Sequence, residues 1–197
     1  MDYLIDPVNI TKYDCDKNEL ELLILFWICA AGKNAITTSN CLNKLFVHLH
    51  EKYNIDSPFD LLKKADEELE LWTCLKNFGI GCYTKKAEFF KDLIYSNIDL
   101  KKCSVKDLEA IKGIGPKTAR CYLIHSRENQ NYAGLDVHVL SFLRDHGHDV
   151  PKNTPTGKRY KILEDIFLQY VKKSNKTVAE FDLDVWREYS GRKNKVA

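Results

Sequence analysis

Apolar residues recur at spacings of three and four along most of this chain, and no stretch alternates apolar with polar residues for long enough to predict a strand. The periodicity predicts helices at about 17–31, 37–53, 57–77, 84–97, 104–112, 116–128, 136–146, 157–173 and 177–190. Several starts carry suitable caps. Ser104 with Asp107 resembles a capping box, Ser57-Pro58 puts proline at a first helical position, and Thr177 precedes "VAEF". Glycines mark the stops at Gly32, Gly79–Gly81, Gly113–Gly115, Gly147 and Gly191. "HGHDVPKNTPTG" (146–157) is the strongest loop signal. The expected class is therefore all-α, with short connections and no internal repeat.

Within that pattern, "SVKDLEAIKGIGPKTARCYLIHS" reads as helix, tight turn, helix. Gly113 and Gly115 permit backbone angles that other residues resist and leave no side chain before a close neighbour. Pro116 suits a first helical position, where its missing N–H costs nothing. The turn is either an ordinary helical corner or a bare helix N-terminus suited to an anion such as a DNA phosphate. Lys117 opens the second helix, and Asp136 stands nineteen residues on, ahead of another apolar run. A helix N-terminus and partial burial would lower an amine's pKa, and such an amine can attack carbon and form a Schiff base. At a helix start Asp136 is favoured as a carboxylate, able to take a proton or steady positive charge on a sugar. Taken singly, the lysine also reads as a solvated surface residue and the aspartate as a plain cap.

Composition narrows the class. Hydrophobic residues make up 44% and charged residues 29% of 197 residues, a globular balance. That length suffices for one core or two small lobes around a cleft. The longest apolar run, 22–31, is too short for a membrane span, and the acidic N-terminus does not resemble a secretory signal. Seven cysteines (15, 29, 41, 74, 82, 103 and 121), none in a C-x-x-C pair, fit reduced thiols in an intracellular, cytoplasmic protein and argue against zinc or an iron–sulfur cluster. His48, His50, His125, His146 and His148 form no metal pattern. Net charge is only +2, yet lysines cluster in "YTKKAEFFK", "KGIGPK", "GKRYK" and "GRKNK". A basic face and a mixed solvated surface fit this equally well. Tyr83 to Lys86 reads as surface or backbone contact.

"LEAIKGIGPKTARCYLI…YAGLDVHVL" resembles the signature of the helix-hairpin-helix base-excision DNA glycosylases, and within them the compact, archaeal-type 8-oxoguanine DNA glycosylase/AP lyases. The resemblance implies that Lys117 is nucleophile and lyase residue and Asp136 the essential aspartate. It implies that Cys121 lines the base pocket and that His138 approaches a DNA phosphate. Gly113, Ile114 and Gly115 would grip the backbone. "FDLDVWREYSG" (181–191) is similar to a C-terminal helix whose aromatic residue stacks on the base, which singles out Trp186; Asp182 or Asp184 would bond the base edge, or else form a solvated acidic face. A Lys117 ammonium beside a Cys121 thiolate would tell an oxidised purine from guanine by local polarity.

"FWICAAGKNAITTSNCLNKL" (26–45) is similar to the segment that fills the gap left by a flipped base. Where relatives often carry Asn or Gln, this chain has Gly32 and Lys33, then Asn34. The cysteines that ligate an iron–sulfur cluster in the endonuclease III branch would fall after residue 140, where this chain has none. No cofactor is required, although the resemblance implies a structural alkali ion at the hairpin carbonyls. The larger eukaryotic-type members add an N-terminal β-rich domain, for which this length leaves no room. The expected architecture is a two-lobed, all-α glycosylase fold with a central cleft: 32–134 as one lobe, holding the hairpin at about 104–128, and 1–31 with 135–197 as the other. The expected activity is excision of a flipped 8-oxoguanine from duplex DNA by a monomer, followed by β-elimination through a Lys117 imine. An oxidised pyrimidine as substrate, a non-catalytic DNA-binding hairpin, and a helical interaction protein are the alternatives.

Overall fold

The computed structural model describes residues 3–190, and these form ten α-helices and no strand. The stop at Gly191 and the basic run "GRKNK" lie outside the described residues. By contact density the chain divides into two compact units. One holds residues 1–10 and 14–115; the other holds 11–13 and 116–197. This differs from the expected division. Helix α1 (Lys17–Ala30) belongs to the first unit, where it packs against α2 (Ala35–Tyr53), α3 (Pro58–Glu67) and α5 (Tyr83–Ile94). The reason is its composition: Leu20 to Phe26 are all buried, so α1 needs partners on several sides, and these three helices supply them. The second boundary falls within the hairpin, between Gly115 and Pro116.

Glu21 lies inside that apolar run and is 1% exposed. Its carboxylate is satisfied where α3 begins, accepting from the Ser57 hydroxyl at 2.7 Å and the Phe59 N–H at 3.0 Å. Ser57 in turn caps α3 from its side chain, with Pro58 at the first helical position as the sequence predicts. The expected helix 57–77 is two helices, α3 and α4 (Leu71–Asn77). The break comes at Leu69, whose φ of 60° closes α3 in a left-handed turn that brings the Glu70 N–H to the Ala65 carbonyl at 2.9 Å. Glycine usually marks such a turn, so the break left no mark in the sequence.

Lys86, expected at the surface, is buried. Its ammonium donates to the Ile80 carbonyl at 2.8 Å and the Cys29 carbonyl at 3.2 Å, tying the end of α1 to the loop before α5. Helix α6 (Val105–Glu109) starts on the predicted Ser104–Asp107 capping box and leads into the turn 110–115. Gly113 has φ of 89°, and a Cβ there would fall 2.2 Å from the Phe89 ring. Gly115 faces no atom within 4 Å.

In the second unit, α7 (Pro116–Ser126), α8 (Val137–Asp145), α9 (Gly157–Ser174) and α10 (Val178–Ser190) enclose a core containing Ile124, Leu135, Leu143, Leu163, Phe167 and Val185. Phe142 packs edge-on against Phe167, Tyr170 and Phe181, which joins α8 to α9 and α10. Residues 11–13 join this unit through the far end of α7, where the Lys12 N–H donates to the His125 carbonyl at 2.9 Å.

The two hairpin glycines separate cleanly by experiment. Gly113→Ala meets both a left-handed backbone and the Phe89 ring, and is expected to cost about 2 kcal/mol or more in urea unfolding. Gly115→Ala is expected to stay within about 0.5 kcal/mol of wild type. Equal effects would contradict this account of the turn.

Candidate active site

Lys117 is the second residue of α7, half-buried, just inside the proline that starts the helix. Cys121 lies one turn further along, buried, within hydrogen-bonding reach of the Lys117 amine. The chain leaves α7 at Ser126 and returns across it at residues 133–136. There Gly134 lies so near α7 that a Cβ would fall 2.2 Å from Cys121 Sγ. Only glycine allows this approach. Two residues later Asp136 caps α8, its Oδ1 accepting the N–H groups of His138 at 2.8 Å and Val139 at 2.9 Å. Both cap bonds use the same oxygen, so Oδ2 stands outside the cap. Packing Gly134 on Cys121 thus carries Asp136 into the electrostatic range of Lys117.

A third charge belongs to this cluster. Asp182 of α10 acts electrostatically on Lys117, Cys121 and Asp136 together. Its carboxylate is 3.3 Å from Nε2 of His125, a wholly buried side chain whose Nδ1 is 2.7 Å from the Thr11 hydroxyl. The sequence singles out His125 only as a histidine without a metal pattern, and its contact with Thr11 spans 114 residues, beyond any local signal. Trp186 follows Asp182 by four residues on α10, so it shares that face of the helix, and it is half-exposed. Asp184 is not brought to the cluster. It pairs with Lys176 and, at 3.4 Å, with Arg187. His138 follows Asp136 in the first turn of α8, half-buried, and interacts with it electrostatically.

Three expectations about charge need correction. Lys117 does not have a lowered pKa. Desolvation pulls it down, but Cys121, Asp136 and Asp182 together outweigh that and hold it above the ordinary lysine value. Asp136 moves the other way from its expected ionised state. Desolvation raises it, and Asp182 adds to the rise, against the opposing effects of Lys117, His138 and the Val139 N–H. Burial pushes the Cys121 thiol up to about 12 although Lys117 pulls it down. Burial thus favours the Cys121 thiol over its thiolate, and Lys117 opposes that preference.

The other candidate residues belong to the first unit. Gly113 and Gly115 are the exposed points of the hairpin turn. Ile114 serves the turn itself, with its side chain buried and its N–H bonded to the Ile111 carbonyl at 3.1 Å. Asn34 caps α2, its side chain accepting the Thr37 N–H at 2.9 Å. Lys33, beside it, reaches Gly81, where a Cβ would fall 3.4 Å from the lysine Nζ. All seven cysteines are free thiols, and no group of three His, Cys, Asp or Glu side chains able to hold a metal occurs among the described residues.

A helical hairpin leads into Lys117, Asp136 caps the next helix, and Asp182 acts on both. The helix-hairpin-helix family model matches residues 98–121. Two solved structures share the fold, each at TM-score 0.62 and 22% identity. One is the 8-oxoguanine glycosylase/lyase of Methanocaldococcus jannaschii in complex with DNA containing 8-oxoguanine, covering 90% of this chain and 84% of that one. The other is the 8-oxoguanine DNA glycosylase of Thermotoga maritima, covering 88% and 80%. A curated relative, the 8-oxoguanine DNA glycosylase/AP lyase of Picrophilus torridus, is 31% identical over 85 residues; the match spans 43% of this chain and only 40% of the relative.

The Gly134–Cys121 contact sets the second test. Gly134→Ala is expected to destabilise by about 1–3 kcal/mol in urea unfolding. In a Cys121→Ala background the same change is expected to cost less than about 1 kcal/mol, because the colliding sulfur is gone. Additive costs would mean that Gly134 is needed for another reason.

Proposed function

We propose that this chain is a DNA glycosylase that excises 8-oxoguanine from duplex DNA and nicks the abasic strand through a Lys117 Schiff base. The observation that carries this reading is the desolvated Lys117–Asp136 pair at the starts of α7 and α8, backed by Asp182. The relatives' fold and names support the substrate. The target nucleotide is extruded from the stack at a cost of about a few kcal/mol. Gly113 and Gly115 hold a phosphate, which gives register without sequence information. The base then stacks on Trp186 beside the Cys121 side of the pocket, with Asp182 at its edge. His138 approaches phosphate, and the segment Gly32, Lys33 and Asn34 is the candidate to fill the duplex gap.

Chemistry starts from an ammonium, so Lys117 must first lose a proton. Asp136 is the adjacent acceptor, and its raised pKa makes this transfer less uphill than to an ordinary carboxylate. The amine attacks C1′ of the deoxyribose, the N-glycosidic bond breaks, and its electron pair leaves with the base, which takes up a proton. The sugar ring opens to an imine on Lys117. Loss of the C2′ proton then expels the 3′ phosphate by β-elimination. As a thiol, the form that burial favours, Cys121 offers the base a weak donor. Any alkali ion at the hairpin would rest on carbonyls of the turn, where Ile111 already accepts the Ile114 N–H; no step depends on it.

Borohydride trapping on an 8-oxoguanine duplex tests the reading. Wild type is expected to form a covalent adduct, and Lys117→Gln none, with excision lowered by more than about a thousandfold. Trapping with thymine-glycol duplex alone would reassign the lesion; no trapping on either would leave a binding module. A pH series gives a second check. Activity needs Asp136 ionised, so excision is lost as pH falls through its raised pKa. The acid limb is therefore expected above the ordinary carboxylate range, and Asp136→Asn is expected to remove it along with most of the rate.

A further inference from the structure

A buried cluster on α9 and α7 has no part in the chemistry above, yet it grips the segment that carries Asp136. Glu164 is 1% exposed. One of its oxygens, Oε1, accepts from Arg120 Nε at 2.8 Å and from the Ala133 N–H at 3.0 Å. Its other oxygen is 3.2 Å from the Lys161 amine. Tyr160, one turn before Glu164, holds the same segment from both sides: its hydroxyl donates to the Ala133 carbonyl at 2.6 Å and accepts the Leu135 N–H at 3.1 Å. Burial raises the Tyr160 pKa far above an ordinary phenol, so the hydroxyl keeps its proton to donate. Arg120 closes the set. Its guanidinium lies 4.5 Å over the Tyr160 ring, and its Nη1 donates to the Pro116 carbonyl at 3.1 Å, next to Lys117. One connected set of bonds therefore runs from the start of α7, beside the amine, to residues 133–135, beside the carboxylate.

We propose that Glu164, Tyr160 and Arg120 form a positioning clamp that presses residues 133–135 onto Cys121 and so sets the separation between the Lys117 amine and the Asp136 carboxylate. The clamp explains why a backbone segment can stay where Gly134 touches a sulfur. Three of the four hydrogen-bonding groups in the backbone at Ala133 and Leu135 would otherwise need water in a buried place: the Ala133 N–H and C=O and the Leu135 N–H. Glu164 is at the same time the buried carboxylate that pairs with the partly buried Arg120. None of these residues needs to touch DNA, and a misplacement of about 1 Å at a reacting pair can cost a hundredfold in rate.

The proposal rests on the glycosylase reading for its kinetic arm only. Tyr160→Phe keeps the ring beneath Arg120 and deletes the bridging hydroxyl; Glu164→Gln keeps the shape and removes the charge. Both are to be compared with wild type in single-turnover excision of 8-oxoguanine, in DNA binding, and in site-resolved alkylation of thiols read by mass spectrometry. Excision is expected to fall by about 10- to 100-fold with the DNA dissociation constant within about twofold of wild type. Alkylation of Cys121 is expected to rise by about tenfold, while Cys103, buried in the first unit, keeps its wild-type rate. Unchanged excision and unchanged Cys121 labelling in Tyr160→Phe would overturn the clamp. So would a joint rise at Cys121 and Cys103, which means general loosening. A wild-type protein that neither excises nor traps would sink the glycosylase reading, and the Cys121 labelling would still decide the clamp.

Discussion

An ammonium removed from water costs several kcal/mol unless charge and hydrogen bonds replace its hydration. At Lys117 the replacement comes from two carboxylates reached through different parts of the chain, Asp136 at the start of α8 and Asp182 on α10. Most of the second unit can be read as the means of keeping them there. The core around Phe142 and Phe167 fixes α8 against α9 and α10, and His125 steadies Asp182 from the buried end of α7. Remove either acid and a partly desolvated cation is left with weaker compensation.

The same cluster decides which protonation states are available. Desolvation acts on all members, but with opposite results for acids and amine. It raises Asp136 and the Cys121 thiol, and at Lys117 it is outweighed by its neighbours. A nucleophile at rest as an ammonium and a carboxylate that has become more basic make a matched donor and acceptor. Reactivity then depends on moving one proton between near neighbours, not on a permanently neutral amine.

Glycine placement links the fold to this site. Gly113 lets the hairpin turn pass over Phe89 in the first unit, and Gly134 lets the returning segment lie on Cys121 in the second. These are different constraints. The first is a backbone angle joined to a close contact. The second is a contact alone, held by polar bonds from α9. Neither depends on the chemistry of the side chains at Lys117 or Asp136, yet both govern whether those side chains can meet.

Helix positions, most caps and the hairpin were legible in the sequence, because a 3.6-residue apolar period, a Ser–Asp capping box and a Gly-Ile-Gly-Pro turn are local and carry their own physics. Lys117, Cys121 and Asp136 were legible as a motif for the same reason. What local rules could not reach was decided by tertiary packing. Leu69 broke a helix without a glycine, α1 took its partners from the first unit, and Lys86 went inside to meet two carbonyls. The direction of the Lys117 shift depended on Asp182, sixty-five residues away in the sequence, and Asp182 depended on His125. Burial and charge are properties of the space around a group, and the neighbours that fill that space are set by the fold, not by adjacency along the chain.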